Sequence, residues 1–250
     1  MKVKTGHGDS NAASHHPVGV EALLGSRILE NVVDVVSIAG FLLFAFSILY
    51  EPQLIFPDAW FPSALAGLMF RLVVCAWILC EIANSLLSKK NSRATNQDKG
   101  SYWVIIIFLW VALFVAFVLR SLGLGVFGGV LQSLQYVGLI LAVAGILLRE
   151  WAILILGKHF TVRVQVHEKT ALTTDGPYRH IRHPAYTGSL LTYTGIAWAV
   201  GSWSGVIFAL IVCFAAYEYR IVVEEKALQD KFGTEYERYK KRTWKLFPGF

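Results

Sequence analysis

Residues 184–219 read PAYTGSLLTYTGIAWAVGSWSGVIFALIVCFAAYEY, two apolar runs joined by the tight, uncharged loop GSWSG. Such runs are typical of helices in a bilayer, where roughly 20 apolar residues make a full crossing. The rest of the chain has the same character: 55% of its 250 residues are hydrophobic, 16% are charged, and the mean hydropathy is +0.52. A soluble domain of this length carries more charge. The composition therefore predicts an all-α fold, a polytopic integral membrane helical bundle.

The apolar pattern predicts six membrane spans, and the loops between them set their orientation. The spans are about residues 29–49, 63–87, 102–120, 130–156, 184–200 and 204–219. The last two are short and are expected to form a hairpin, which need not cross the bilayer completely. Loops rich in Lys and Arg alternate with loops that nearly lack them, and an excess of these residues marks the cytoplasmic side. We therefore expect a multi-pass protein with both termini in the cytoplasm, and we assign the net charge of +6 to its loops rather than to nucleic-acid binding.

A few charged residues lie within the predicted spans. Asp34, Arg71 and Glu81 are costly in hydrocarbon unless they are paired or face a polar cavity. For Arg71 and Glu81 we expect either ion pairs with neighbouring helices or a contribution to a cavity. Arg149 and Glu150 stand near the end of the fourth span, where their side chains can snorkel to the interface.

The C-terminal tail predicts an amphipathic helix at the cytoplasmic surface of the membrane. Its apolar residues recur at helical spacing and form one face, opposite a charged face: Leu228, Phe232, Tyr236 and Tyr239. The last residues add large apolar side chains that are expected to anchor the tail in the interface: Trp244, Leu246, Phe247 and Phe250.

Other patterns carry little functional information. Gly123, Gly125 and Gly128 spell GxGxxG, but a dinucleotide fingerprint needs a preceding strand and a following soluble helix. We interpret these glycines as the end of a span. The three cysteines fall in apolar segments without a CxxC pair, so we expect buried hydrophobic residues and no metal site. Residues 1–27 are polar and are expected to form a disordered cytoplasmic tail.

Residues 175–188, DGPYRHIRHPAYTG, place polar groups at the start of the fifth span. Pro184 suits the first turn of a helix, where its missing N–H costs nothing. His183 then stands at the positive end of the helix dipole, a place that favours an anionic group. Tyr186 lies one turn further on the same face, and Gly188 allows close approach by a backbone or a ligand. The alternative is a basic membrane-surface loop, in which Arg182 and its neighbours only mark the cytoplasmic side.

A second polar group follows where the sixth span leaves the membrane. Arg220 and Glu224 are spaced i, i+4 and can pair on one helix face, whereas Glu225 is offset by about 100°. If the last two spans form a hairpin, its open ends bring His183 and Tyr186 close to these residues. The sequence thus predicts a polar pocket at the cytoplasmic boundary. The alternative is an ordinary salt bridge on the surface of a helix.

The motifs GPY, RHPxYxG, EE and FGxEYxxY, at their spacings here, resemble those of the isoprenylcysteine carboxyl methyltransferase family and, more broadly, the membrane methyltransferases that include phospholipid N-methyltransferases. The resemblance covers about residues 145–250. It implies a catalytic region over residues 141–250 and leaves 28–140 as membrane spans alone. It also implies the cofactor S-adenosylmethionine, bound without a Rossmann domain, and catalytic roles for His183, Arg220, Glu224 and Glu225, with Arg220 near the substrate head group.

The resemblance carries cofactor contacts onto a larger set of positions: Gln165, Leu172, Thr173, Tyr178, His183, Pro184, Ala185, Tyr186, Glu224 and Glu225. This chain departs from the family at residue 170, where Thr170 replaces a frequent histidine and His167 is nearby. The loop is therefore the least typical part of the expected cofactor site.

The residues are suited to methyl transfer, an in-line displacement in which the protein mainly positions the partners and excludes water. Tyrosine faces attract a sulfonium cation, and Arg220 can orient a carboxylate acceptor by a forked contact. The expected partner is a lipid or another lipophilic small molecule, most simply an isoprenylcysteine carboxylate. A phospholipid amine and a small thiol remain alternatives. A non-catalytic membrane scaffold or a transporter is the alternative outside the enzymes.

Overall fold

The structure is a computed structural model, and it describes residues 56–91, 101–157, 160 and 172–249. Several predictions concern residues outside these ranges: the tail 1–27, the first span at 29–49 with Asp34, the loop residues Gln165, His167 and Thr170, and Phe250. They stay predictions.

The described chain is helical. Its α-helices are α1 (Ala64–Asn91), α2 (Ser101–Ser121), α3 (Gln135–Leu156), α4 (Pro184–Val200), α5 (Trp203–Phe232) and α6 (Thr234–Lys240). Three short 3-10 helices lie at Asp58–Trp60, Gly129–Leu134 and Gly176–Arg179. Among the described residues there are two isolated β-bridges, Val126 with Ser202 and Ile181 with Trp244.

The helices α1 to α5 begin close to the five predicted spans that the structure describes. Three stretches in the described part of the chain are long and apolar enough to cross a membrane: Ala64–Ser88, Gly129–Leu156 and Trp203–Phe232. The 17-residue α4 is about 26 Å long at 1.5 Å per residue, shorter than a typical hydrocarbon core. The glycines of the GxGxxG pattern follow α2 in a turn, and Gly123 and Gly125 have positive φ.

The prediction of a separate surface helix after the sixth span is wrong in its boundaries. Helix α5 continues without a break to Phe232, and Gly233, at φ 50°, ends it before the seven-residue α6. Hydropathy falls after Tyr219, but the residues that follow are good helix formers and include no glycine or proline before Gly233. The resulting helix is about 45 Å long, so its last turns reach beyond a hydrocarbon core of about 30 Å.

Helices α3 and α4 pack backbone against backbone through glycines spaced seven residues apart. A methyl group added at Gly145 would lie 2.5 Å from the carbonyl oxygen of Gly188, and one at Gly195 would lie 2.5 Å from the nitrogen of Ala142. Small residues at such crossings allow close packing where lipid provides no hydrophobic driving force. The close partner expected at Gly188 is therefore the backbone of α3.

Polar side chains tie α1 to α3. Glu81 forms a forked ion pair with Arg149, whose Nε and Nη2 donate at 2.8 and 3.1 Å. One turn away, Asn84 Nδ2 donates to Glu150 Oε1 at 2.8 Å. The expectation that Arg149 and Glu150 snorkel is wrong, because both side chains turn towards α1 instead.

Polar side chains also hold the segment before α1. Arg71 pairs with Asp58 at 3.1 Å, which confirms the pairing expected for Arg71. The carbonyl of Trp60 accepts hydrogen bonds from Arg120 at 3.2 Å and from Gln135 at 2.9 Å. These contacts tie the 3-10 helix Asp58–Trp60 to α2 and α3.

The C-terminal segment, residues 241–249, runs beside residues 180–183. The N–H of Arg182 donates to the Trp244 carbonyl at 2.8 Å, and the N–H of Trp244 donates to the His180 carbonyl at 2.9 Å. Leu246 is fully buried, so its expected role as an interfacial anchor is wrong. Trp244 is 43% exposed, and its placement in the interface stays a prediction. The segment closes over the start of α4.

Candidate active site

The start of α4 positions two aromatic rings of the site. His183 is the N-cap residue and Pro184 occupies the first turn, as the sequence predicts. His183 is buried, and its ring stacks on Tyr186 at a centroid distance of 5.6 Å. Tyr186 in turn stacks on Tyr217 of α5 at 5.3 Å. Three rings from two helices therefore form one stack.

The hydroxyl of Tyr186 joins the two charged residues of α5. It donates to Glu224 Oε2 at 2.6 Å and accepts from Arg220 Nε at 3.3 Å. Arg220 is 2% exposed, whereas the side chain of Glu224 is 29% exposed. The predicted neighbours Tyr186, Arg220 and Glu224 are thus in contact, with the guanidinium inside and the carboxylate nearer to solvent.

Glu225 contacts basic side chains from two parts of the chain, the residues that lead into α4 and the end of α6. Its Oε1 lies 3.2 Å from His183 Nε2 and accepts from Arg182 Nε at 3.1 Å. Its Oε2 lies 3.5 Å from Lys240 Nζ. His183 also directs Nδ1 towards Glu224, at 3.8 Å. The imidazole therefore lies between the two carboxylates, and Glu225 ties together the start of α4, α5 and α6.

The remaining predicted cofactor residues lie around this cluster. Tyr178 is buried, and its carbonyl accepts a hydrogen bond of 2.7 Å from the Tyr239 hydroxyl. Burial raises the pKa of both tyrosine hydroxyls, so both stay protonated at neutral pH. Leu172 and Thr173 are half-buried in the stretch that leads to this turn. The carbonyl of Ala185 faces Arg149 at 3.4 Å.

Sequence reasoning missed three residues that contact the cluster. Arg182 was not predicted as a site residue, and the alternative for it was to mark the cytoplasmic side, yet it binds Glu225 and donates through Nη1 to the carbonyls of Lys240 and Thr243. Tyr217 stands three residues before Arg220 on the same helix face, and that spacing could have identified it. Lys240 reaches Glu225 only because the chain reverses after Gly233, which the sequence pattern does not encode.

An apolar groove of about 490 Å³ lies between α3, α4 and α5. Its lining is almost entirely hydrocarbon: Leu141, Leu190, Leu191, Thr194, Leu210, Ile211, Phe214, Ala215 and Phe247. Leu190 stands one helical turn beyond Tyr186 on α4. One end of the groove therefore lies close to the polar cluster on α4.

The groups in this cluster are suited to binding and positioning. A half-buried carboxylate can hold a cation, the stacked rings offer π-faces, and a buried guanidinium can bind an anion. Within the described ranges, no group of three or more His, Cys, Asp or Glu residues is arranged to hold a metal ion.

Residues 134–235 match the model of the phospholipid methyltransferase family. A rice protein (Oryza sativa subsp. indica) named "Probable protein-S-isoprenylcysteine O-methyltransferase" is 34% identical over 123 residues, 46% of this chain and 61% of the relative. Protein-S-isoprenylcysteine O-methyltransferase A of Arabidopsis thaliana is 35% identical over 111 residues, which are 41% of this chain and 53% of the relative. The matched part thus spans about three fifths or less of these relatives.

A solved structure has a similar fold. It is that of the eukaryotic intramembrane Ras methyltransferase isoprenylcysteine carboxyl methyltransferase, with a TM-score of 0.54 at 19% identity. The similarity covers 94% of this chain and 89% of that one. Together with the apolar helices, it identifies an all-α integral membrane protein. Through residues 134–235, the chain is similar to integral membrane methyltransferases, a group that includes the phospholipid and isoprenylcysteine carboxyl methyltransferases.

Proposed function

We propose that this protein transfers a methyl group from S-adenosylmethionine to a lipophilic acceptor, most simply the carboxylate of an isoprenylcysteine. One observation carries the proposal: Tyr186 joins a buried guanidinium to a half-buried carboxylate beside a stack of aromatic rings, one turn from an apolar groove. The named relatives, which methylate isoprenylcysteine according to their names, support the choice of acceptor.

The cluster offers complementary groups for the cofactor. Glu224 has the more exposed carboxylate of the two, 29% against 16% for Glu225, and it can accept hydrogen bonds from an ammonium or from ribose hydroxyls. Glu225 already binds cationic groups of the protein, so we assign it to holding His183 in place. The outer faces of the ring stack formed by His183, Tyr186 and Tyr217 suit a sulfonium. When bound, S-adenosylmethionine supplies an activated methyl group, and the residues around it orient the acceptor and exclude water.

Arg220 is the proposed binding group for the acceptor. A guanidinium binds a carboxylate through two parallel N–H donors, which fixes the orientation of the attacking oxygen. Because a carboxylate is ionised at neutral pH, this acceptor needs no general base. The groove between α3, α4 and α5 can hold the lipid chain, which then enters laterally from the membrane.

A phospholipid amine is the second candidate, because the matching family model is that of phospholipid methyltransferases. An amine must lose a proton before it attacks, and His183 between two carboxylates is placed to accept it. The two candidates differ in their products: a carboxyl methyl ester is labile to base, whereas an N-methyl group is not.

We also propose a multi-pass topology with both termini in the cytoplasm. The alternation of basic and neutral loops supports it. In that topology, the polar cluster lies at the cytoplasmic face.

The test combines cofactor binding with methyl labelling in detergent micelles. We expect the purified chain to bind S-adenosylmethionine by calorimetry and to label S-farnesylcysteine with a base-labile methyl group. His183→Ala and Glu225→Ala should weaken binding. Tyr186→Phe should lower kcat/KM about 10- to 100-fold, since it removes hydrogen bonds to charged groups worth about 1.5–3 kcal/mol.

Tyr219→Phe is the matched control, because Tyr219 is 46% exposed on the same helix as Arg220. Unchanged cofactor affinity in both His183→Ala and Glu225→Ala would refute the site. No binding at millimolar cofactor would favour a non-catalytic membrane protein, and a base-stable product would favour the amine acceptor.

A further inference from the structure

The ion pair between Glu81 and Arg149 lies half-buried between α1 and α3, outside the polar cluster of the proposed reaction centre. The two side chains are 18% and 13% exposed, and the guanidinium donates to both carboxylate oxygens. Such a pair costs desolvation free energy, and an apolar replacement of similar volume is often as stable or more so. Stability alone therefore gives little reason for two charges at this place.

The guanidinium also contacts the first turn of α4, which belongs to the proposed site. Arg149 Nη1 donates to the carbonyl of Ala185 at 3.4 Å. Ala185 belongs to the first turn of α4, between the His183 N-cap and Tyr186. The contact therefore connects α1, through α3, to the turn that carries both rings of the proposed site.

The close packing of α3 against α4 brings Arg149 next to this turn. A methyl group added at Gly188 would lie 2.6 Å from the backbone nitrogen of Arg149, so the backbones of α3 and α4 are in contact beside the ion pair. Glu81 binds the guanidinium, and the backbone contact brings Arg149 against α4, so Nη1 lies beside the Ala185 carbonyl.

We propose that Glu81 and Arg149 are positioning residues for methyl transfer. By holding the first turn of α4, the ion pair keeps the His183 ring and the Tyr186 hydroxyl aligned with Glu224 and Arg220. This inference rests on the proposed function, because positioning matters only if a reaction takes place at the cluster. Misplacement of a reacting geometry by about 1 Å can lower a rate about 100-fold.

The chain provides a matched control for this role. Asn84 and Glu150 join the same two helices at 2.8 Å, one turn along α1 from Glu81. Among the residues that the structure describes, neither side chain forms a hydrogen bond to α4. The double variant Glu81→Leu/Arg149→Met should be compared with Asn84→Leu/Glu150→Met. Each double variant removes one polar contact between α1 and α3. Because both members of the pair are replaced, neither variant leaves one of them unpaired in the interior.

Two measurements follow for each double variant in micelles. The first is the kinetics of S-farnesylcysteine methylation at saturating S-adenosylmethionine. The Glu81/Arg149 variant should lose about 10- to 100-fold in kcat with KM for the acceptor unchanged, while the control stays within about twofold of wild type. The second is hydrogen exchange of the peptide over residues 180–190, which should be faster in the Glu81/Arg149 variant alone.

The single variant Arg149→Lys separates charge from geometry. Lysine keeps a charge opposite Glu81 but has no fork with which to bind Glu81 and the Ala185 carbonyl together. We expect it to retain the thermal stability of the wild type and a lowered kcat.

Equal kcat in the two double variants, or equal exchange over residues 180–190, would overturn the proposal. A fully active Arg149→Lys variant would also overturn it. If the wild-type chain methylates none of the probe, the proposed function fails instead. The exchange comparison then still decides whether the ion pair holds α4.

Discussion

Replacing Gly195 by alanine should force α3 and α4 apart. The added methyl carbon would lie 2.5 Å from the nitrogen of Ala142, 2.7 Å from the carbonyl oxygen of Gly138 and 2.9 Å from the Ala142 Cα. Ordinary contact begins near 3.4 Å, so the backbones must separate by about 0.9 Å. All three close atoms belong to the backbone, which cannot rotate away as a side chain can. Overpacking of this kind costs about 1–3 kcal/mol.

The free energy of unfolding can be measured by titrating the protein in mixed micelles with dodecyl sulfate and following helix content by circular dichroism. Gly128→Ala is the control, because an added methyl group there meets nothing within 4 Å and the φ of −107° suits any residue. We expect Gly195→Ala to be about 1–3 kcal/mol less stable than wild type and Gly128→Ala to be unchanged or slightly more stable.

A second change tests the cause. Combining Gly195→Ala with Ala142→Gly should not restore stability, because the close atoms of Ala142 are its nitrogen and Cα rather than its methyl group. Equal stability of Gly195→Ala and Gly128→Ala, or recovery in the combined variant, would refute the view that backbone contact sets the distance between α3 and α4.

Two further predictions concern the C-terminal segment. Arg182→Gln should speed proteolysis of the C-terminal segment, because the side chain loses its contacts with Glu225 and with the carbonyls of Lys240 and Thr243. The control is Arg179→Gln at an exposed position, and limited proteolysis compares the two variants. Equal cleavage rates would contradict the prediction. Thr187→Val should lower the free energy of unfolding by about 1 kcal/mol, since the hydroxyl donates to the carbonyl of Leu246 at 2.8 Å. The same substitution should cost less in a chain truncated after residue 242, which lacks Leu246. An equal decrease in the free energy of unfolding in both chains would show that this bond is not the cause.

The helices and their approximate limits follow from the sequence, because apolar runs in lipid have few alternatives to helix. The helix start at Pro184 and the hairpin of the last spans also predict that His183, Tyr186, Arg220 and Glu224 meet. The structure confirms that proximity. The roles of these residues in catalysis and cofactor binding stay predictions.

The limits of α5 were misjudged for a definite reason. Hydropathy reports where a chain leaves hydrocarbon, whereas a helix ends where its backbone conformation changes. The apolar run stops near Tyr219, but the turn comes at Gly233, where φ is positive. The sequence before Gly233 favours helix, so a reading of propensity alongside hydropathy would have placed the end correctly.

The sequence by itself determined the class of the protein, the run of its helices and the group of residues that meet at the open end of the hairpin, since each depends on local pattern and on covalent connection. Only the tertiary structure decided that Arg149 turns to Glu81, that Arg182 and Lys240 bind Glu225, and that Leu246 is buried. These contacts join residues far apart in the chain. Their distances depend on how closely α3 and α4 pack and on how the chain reverses after Gly233, and neither is encoded in the local pattern.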